Sequence, residues 1–191
     1  EEAAKILEKL GAKIKKIHLF DPKYAISVYT ILQRSEVSSN LGRYDGIRYG
    51  KDRNYFGEEA KRRIMLGTYT LSSGYYNAYY LKAQKVRTLI CQDFKKAFDN
   101  VDLIIGPTSP STALPLGASK NHPMFGEVAD MLVEPSTIAG LPGVSLNAGF
   151  SKENLPVGMQ IIGPQFSEEL LFQAAYAYEQ ETQWYKIKPK L

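Results

Sequence analysis

Val101–Pro110 reads VDLIIGPTSP. Val101 and Leu103 to Ile105 are apolar, Gly106-Pro107 closes the run, and a polar turn follows. A short apolar run bounded by turn residues is the pattern of a buried strand. Upstream, Gly74 to Asn100 holds a helical pattern that includes RTLICQDFKKAF, so a helix delivers the chain into this strand. Downstream, GVSLNAGF (143–150) and VGMQIIG (157–163) predict two more strands. Ser167 to Gln180 predicts a last amphipathic helix, with Ser167 as N-cap and Glu168 and Glu169 in its first turn. Toward the start, Ala3 to Leu10 forms an amphipathic helix that ends at Gly11. AKIKKIHLF (12–20) alternates as a half-buried strand does. Pro22 opens a helix over Lys23 to Arg34, and SSNLGRYDGIRYGKDRN (38–54) reads as an ordered loop. Gly57 to Leu71 is a further helix, and MFGEVADMLVEPSTIAGLPG (124–143) holds short helical pieces around prolines. Strands and helices are interleaved, which predicts an α/β fold with a mixed β-sheet covered by helices.

Composition bounds the rest. The 191 residues suffice for one domain with a real core, and 44% apolar with 23% charged residues is ordinary for a globular chain. No apolar run approaches the length needed to span a bilayer. The opening EEAAKILEKLGAKIKKIHLF begins acidic and lacks the apolar centre of a signal peptide, so it is expected to be the interior of a longer parent chain. A net charge of +4 permits an acidic partner such as RNA without requiring one. The basic residues alternate with acids in FGEEAKRR and QDFKKAFDN, as on a solvated helix face. The single cysteine, Cys91, excludes an internal disulfide and fits a reducing compartment; its helical setting predicts a small core residue. His18 and His122 lie far apart and lack carboxylate or thiol neighbours at metal-binding spacing, so no zinc site is expected.

Three features between Phe56 and Asp130 carry candidate chemistry. Ser72-Ser73-Gly74 fits the break between two helices, with Ser73 capping the second, better than a nucleophile lacking a base. Tyr75, Tyr76, Tyr79 and Tyr80 fall on one helical stripe continued by Ala83, Val86 and Ile90. That is a helix-packing face; base stacking is the competing use. Arg63 shares an arc with Phe56, Ala60, Gly67 and Leu71. A guanidinium on a small apolar face needs either an internal acid or an incoming anion, such as a carboxylate held in bidentate fashion. Asp130, between Val128-Ala129 and Met131-Leu132, either holds an ammonium group or is an exposed helix residue.

SSNLGRYDGIRYG, FGEEAKRRIMLGTYTLSSGYYNAYYLKAQKVRTLI, VDLIIGPTSPSTA, IAGLPGVS and LPVGMQIIG together resemble the glutamyl-tRNA(Gln) amidotransferase A-subunit branch of the amidase signature family. The resemblance covers essentially residues 1–191, in the family's order, and implies the C-terminal half of an amidase-signature fold. It implies a glutaminase subunit that sends ammonia to a partner, which uses ATP and Mg to activate Glu or Asp misacylated on tRNA. The family's catalytic Lys and two Ser belong to an N-terminal Gly-Ser-rich loop that has no match here. No catalytic residue and no cofactor is therefore expected in this chain, which alone should be inactive. Carried over by motif, Tyr29 lines the glutamine pocket, Arg63 grips the α-carboxylate and Asp130 holds the α-ammonium. Implied partners are the N-terminal half, the amidotransferase B and C subunits and misacylated tRNA, in a bacterial cytoplasm or an organelle and without a membrane. The sheet should be completed by the other half, which leaves an apolar seam open and a poorly soluble chain when that half is missing. The same residues also fit part of another amidase-signature amide hydrolase, or a non-catalytic RNA-binding or scaffold module.

Overall fold

Helix α4 (Lys82–Phe98) runs into strand β1 (Ile104–Pro107), as an apolar run after a helical pattern predicts. The computed structural model describes residues 1–118 and 125–189. Beyond β1 come α5 (Phe125–Ala129), α6 (Glu134–Ala139), β2 (Gly143–Phe150), β3 (Pro156–Ile162) and α7 (Glu168–Thr182). Before α4 lie α1 (Glu2–Lys9), α2 (Lys23–Asn40) and α3 (Glu58–Leu71). The strand order is β1-β3-β2, with Ile104 opposite Ile162 and Ser145 opposite Gln160. Both pairings are antiparallel, so the described sheet is antiparallel and not mixed as expected.

Alternation along the strands divides the apolar side chains between two cores. Ile104 and Ile162 join Val28 and Leu32 of α2, Ile90 and Phe94 of α4, and Ile138 of α6. Ile105 and Ile161 face the other way, toward Leu7 of α1 and Leu171, Ala175 and Tyr178 of α7. The sheet is thus the middle layer of three. Cys91 packs half-buried against the first core, as its helical setting predicts. His18 is exposed, and His122 lies outside the described residues. No described helix is long and apolar enough to cross a membrane.

Four expectations are corrected. Among the described residues Ala12 to Phe20 belongs to no strand: Ile17, Leu19 and Phe20 pack on the first core, and apart from the Ala12 N–H, which donates to Leu7 O at 3.0 Å, the segment's backbone pairs with no other. Alternation recorded which side chains face the core, and a strand needs a ladder partner as well. Helix α2 continues six residues past Arg34, because the Ser35 and Ser38 hydroxyls donate to the carbonyls of Ile31 (2.7 Å) and Ser35 (2.9 Å) and do not cap or break the turn. At Ser72-Ser73 the next helix opens on the Ser72 carbonyl, which accepts from the N–H groups of Tyr75 and Tyr76. The Ser72 hydroxyl turns back to Tyr69 O, and no cap by Ser73 forms among the described residues. Ser167 does stand at the N-cap of α7, but its hydroxyl donates to Pro164 O at 2.6 Å and accepts no N–H from the first turn among the described residues.

The tyrosine stripe also divides. Tyr80 packs on the first core with Ala83, Val86 and Ile90, whereas Tyr75, Tyr76 and Tyr79 are exposed. Asn77–Leu81 is a turn of π-helix, which fits an extra residue into the turn. A wheel drawn at a constant 100° per residue loses phase across it.

Candidate substrate-binding site

The close approach of α2 and α3 builds the surroundings of Arg63. Gly67 is buried with its backbone against α2; a Cβ there would fall 1.9 Å from the Arg34 carbonyl oxygen. Only a residue without a side chain permits that contact. Three residues on, the Thr70 and Ser35 hydroxyls join the two helices at 2.8 Å. Arg63, one turn before Gly67, is consequently carried to the α2 side of α3 and is half-buried.

The guanidinium Nε donates to Glu59 Oε1 at 2.6 Å, with side-chain exposures of 32% for Arg63 and 52% for Glu59. Its acid is therefore a partly solvated neighbour one turn back on the same helix, not a deeply buried carboxylate. Glu59 also receives Nε and Nη2 of Arg62, at 2.8 and 3.0 Å. The Glu59 hydrogen bond raises the proton affinity of Arg63 above its ordinary value; partial burial opposes this, and the Tyr29 phenol adds to it. The Glu59 carboxyl is correspondingly held below its ordinary range, first by Arg63. Tyr29 and Arg63 are thus brought together across the α2–α3 contact, Tyr29 half-buried against the first core.

Asp130 stands apart from that pair. It follows α5, its side chain is exposed, and its carbonyl accepts the N–H groups of Val133 (2.9 Å) and Glu134 (3.0 Å) at the start of α6. No hydrogen bond or ion pair joins Asp130 to Tyr29 or Arg63 among the described residues. Its connection to the pair runs through α6, which packs on α2 and α4. Arg87 of α4 fixes part of that packing by donating from Nε to Ile138 O at 2.6 Å.

Glu59 is the residue that sequence inspection passed over, because FGEEAKRR reads as a solvated charge run. Its spacing to Arg62 and Arg63, i+3 and i+4, was the available signal. Outside this pair, Tyr69, Tyr75 and Tyr79 cluster with ring centroids 4.2 to 6.1 Å apart. Hydrogen bonding to Tyr75 pushes the Tyr69 phenol up to about 12. No group of three His, Cys, Asp or Glu able to hold a metal ion occurs among the described residues.

Comparison with known proteins places the chain in a family. The model of the amidase family matches residues 1–172. The A subunit of glutamyl-tRNA(Gln) amidotransferase from Streptococcus agalactiae serotype III (strain NEM316) is 53% identical over 205 aligned residues, covering all of this chain and 42% of the relative. The same protein from Streptococcus pneumoniae (strain Hungary19A-6) is 52% identical over 202 residues, covering 98% of this chain and 41% of the relative. The chain thus spans about two fifths of the length of these relatives. The crystal structure of the A subunit from Thermotoga maritima superposes with a TM-score of 0.71 at 41% identity, covering 94% of this chain and 37% of that one. A 6-aminohexanoate cyclic dimer hydrolase shares the fold with a TM-score of 0.76 at 19% identity, over 98% of this chain and 41% of that one. With residues 1–172 of the 191 matched by the family's model and an α/β fold shared with that family's solved members, the chain belongs to the amidase family.

Proposed function

We propose that this chain carries the glutamine-recognising side of a glutaminase subunit in a tRNA-dependent amidotransferase. The observation that carries this assignment is the 53% identity, over the whole chain, to the A subunit of a glutamyl-tRNA(Gln) amidotransferase. A free amino acid is recognised by one cation and one anion set apart, each able to reject an analogue that leaves it unpaired. Arg63 takes the α-carboxylate through its planar fork, which suits bidentate binding. Glu59 steadies the guanidinium from behind through Nε. Tyr29 forms a wall beside it, and Asp130 receives the α-ammonium. Held at both ends, the substrate presents its side-chain amide to the nucleophilic Ser and the Lys of the family's signature loop, which this chain does not contain. The residues here bind and orient, and they do not catalyse alone. The ammonia passes to a partner that activates Glu or Asp on misacylated tRNA; ATP and Mg belong to that partner, and the B and C subunits complete the complex in a bacterial cytoplasm.

The test is a chimera in which this chain replaces the matching two fifths of the Streptococcus agalactiae protein, assayed within the assembled complex. Arg63→Ala should raise the glutamine KM by roughly 10- to 100-fold, the cost of one lost charge-assisted carboxylate contact. Activity driven by free ammonia should be unchanged. Equal loss with both nitrogen donors would assign Arg63 to the fold or to the complex instead of to glutamine.

A further inference from the structure

Strand β3 carries one long polar side chain into the interior. Met159 and Ile161 pack in the second core and Ile162 in the first, so alternation turns Gln160 toward the first-core side of the sheet, where it is 8% exposed. A carboxamide held there is costly unless its polar atoms find partners. Its nitrogen carries two protons, and both are used: Nε2 donates to Pro107 O at 3.0 Å and to Leu132 O at 2.7 Å. Pro107 ends β1, the neighbouring strand. Leu132 lies in the turn between α5 and α6, in which the Asp130 carbonyl accepts the N–H groups of Val133 and Glu134. One side chain of the central strand therefore ties that turn to the sheet.

A second tie falls on the other side of Asp130. Ser109, just beyond the end of β1, donates from its hydroxyl to Ala129 O at 3.3 Å. Ala129 precedes Asp130 and Leu132 follows it, so the two anchors bracket that residue. Both issue from the same end of the sheet, where the Thr108 N–H also donates to Gly158 O at 3.1 Å. Helix α6 has its own attachment: Ile138 and Ala139 are buried in the first core, and Arg87 Nε donates to Ile138 O at 2.6 Å. What the two anchors fix in addition is the short stretch of backbone that carries Asp130, whose side chain is exposed. A carboxylate that must meet an ammonium group at one place gains from a backbone that cannot drift, because a displacement of about 1 Å can cost roughly 100-fold in rate.

We propose that Gln160 is a positioning residue for substrate recognition, acting with Ser109 through the Asp130 turn to set where that carboxylate meets the α-ammonium of glutamine. This rests on the reading that Asp130 receives the ammonium group. Gln160 acts through the turn alone, since its amide protons are spent on two backbone carbonyls.

The test uses the chimera within the assembled complex and two substrates, glutamine and its analogue with hydrogen in place of the α-amino group. The readout is the ratio of their kcat/KM values, in which any loss of folded complex cancels. A role confined to stability lowers both values together and leaves the ratio alone. Asp130→Asn should lower the ratio roughly 10- to 100-fold, the worth of one charge-assisted contact. Gln160→Met, which keeps the length of the side chain and removes both donors, should lower it at least roughly 5-fold, chiefly by raising the glutamine KM. Ser109→Ala should act in the same direction by at least roughly 2-fold. Combined with Asp130→Asn, neither substitution should lower the ratio further, because the group they position is gone. A ratio unchanged by Asp130→Asn overturns the ammonium reading and this assignment together. A ratio lowered by Asp130→Asn but not by Gln160→Met overturns this assignment and leaves the reading intact. A further fall in the double variants also overturns it, because the anchors then act on something other than Asp130. Where Gln160→Met yields no folded complex, the Ser109→Ala ratio decides.

Discussion

Arg63 combines a half-buried setting with an acid of its own helix, and the balance between the two sets its role. An i,i+4 pair as solvated as Glu59–Arg63 contributes about 0.5 kcal/mol or less to stability. Its main effect is orientation, because the bond to Nε fixes the plane of the guanidinium. The titration of Glu59 reports the pair directly. Its carboxyl is lowered first by the hydrogen bond from Arg63 and then by Arg62, against partial desolvation. With the folded value lowered, the pair's contribution is complete above the ordinary value of 4.5 and is lost as pH falls through the lowered one. Carboxyl-resolved NMR titration should place the Glu59 midpoint below 4.5, and Arg63→Ala should move it up further than Arg62→Ala does. A midpoint at or above 4.5 in the unmutated chain contradicts the geometry. The arc containing Arg63 was legible from helical periodicity, since Gly67 and Ala60 lie on the same face and pack inward. Glu59 was not, because periodicity weighs apolar positions and treats a mixed charge run as solvent-facing. Nor could spacing along the chain show that Tyr29 meets Arg63, because that contact depends on how closely two helices approach.

Among the elements, the α2–α3 contact is the most sharply constrained. At Gly67 a Cβ would lie 1.9 Å from the Arg34 carbonyl oxygen and 2.5 Å from its carbon, and backbone atoms cannot rotate aside as a side chain can. Gly67→Ala should gain about 1 kcal/mol from helix propensity and lose more than that from forcing the helices apart. The expected net is a loss of about 2 kcal/mol, read as a lower urea midpoint at unchanged slope. Stability equal to or above that of the unmutated chain shows that the helices part freely. The chimera carrying this substitution should also show a raised glutamine KM, because Arg63 and Tyr29 sit on the two helices being separated. Element type was legible wherever one signal sufficed: VDLIIGP contains β1, although the strand begins only at Ile104 and runs through the Gly-Pro expected to close it, and GVSLNAGF and VGMQIIG supply β2 and β3. It was misleading where a second partner decides. AKIKKIHLF alternates but has no ladder partner among the described residues, and the serines after Arg34 close hydrogen bonds inside a helix that the same residue type often ends. The π turn at Asn77–Leu81 leaves no compositional mark, so the tyrosine stripe read broader than the face that is buried.

For the molecule as a whole, the sheet is shared by two cores, and β3 is its central strand. Ile161 of β3 is 1% exposed and packs with Leu171, Ala175 and Tyr178. Ile162, the next residue, packs with Ile90 and Phe94 on the opposite face. Consecutive residues of one backbone thus belong to different cores, and neither core can lose the strand without the other. Ile161→Ala deletes apolar volume from the second core alone and should cost about 2–4 kcal/mol. If the sheet couples the layers, native-state hydrogen exchange should show that loss in α4 as well as α7, because the openings that expose either helix release β3. Protection lowered in α7 but retained at Ile90 and Phe94 would mean that the cores open separately. Coupling bears directly on the site, since α2, which carries Tyr29 and supports Arg63, rests on the first core and gains nothing from Ile161 except through the strand. Measured in the chimera, the same substitution should therefore lower the melting temperature while leaving the glutamine KM near its unmutated value at temperatures where the chain is folded. A KM that rises well below the melting transition would show that the substitution in the second core displaces the α2–α3 pair while the chain is still folded.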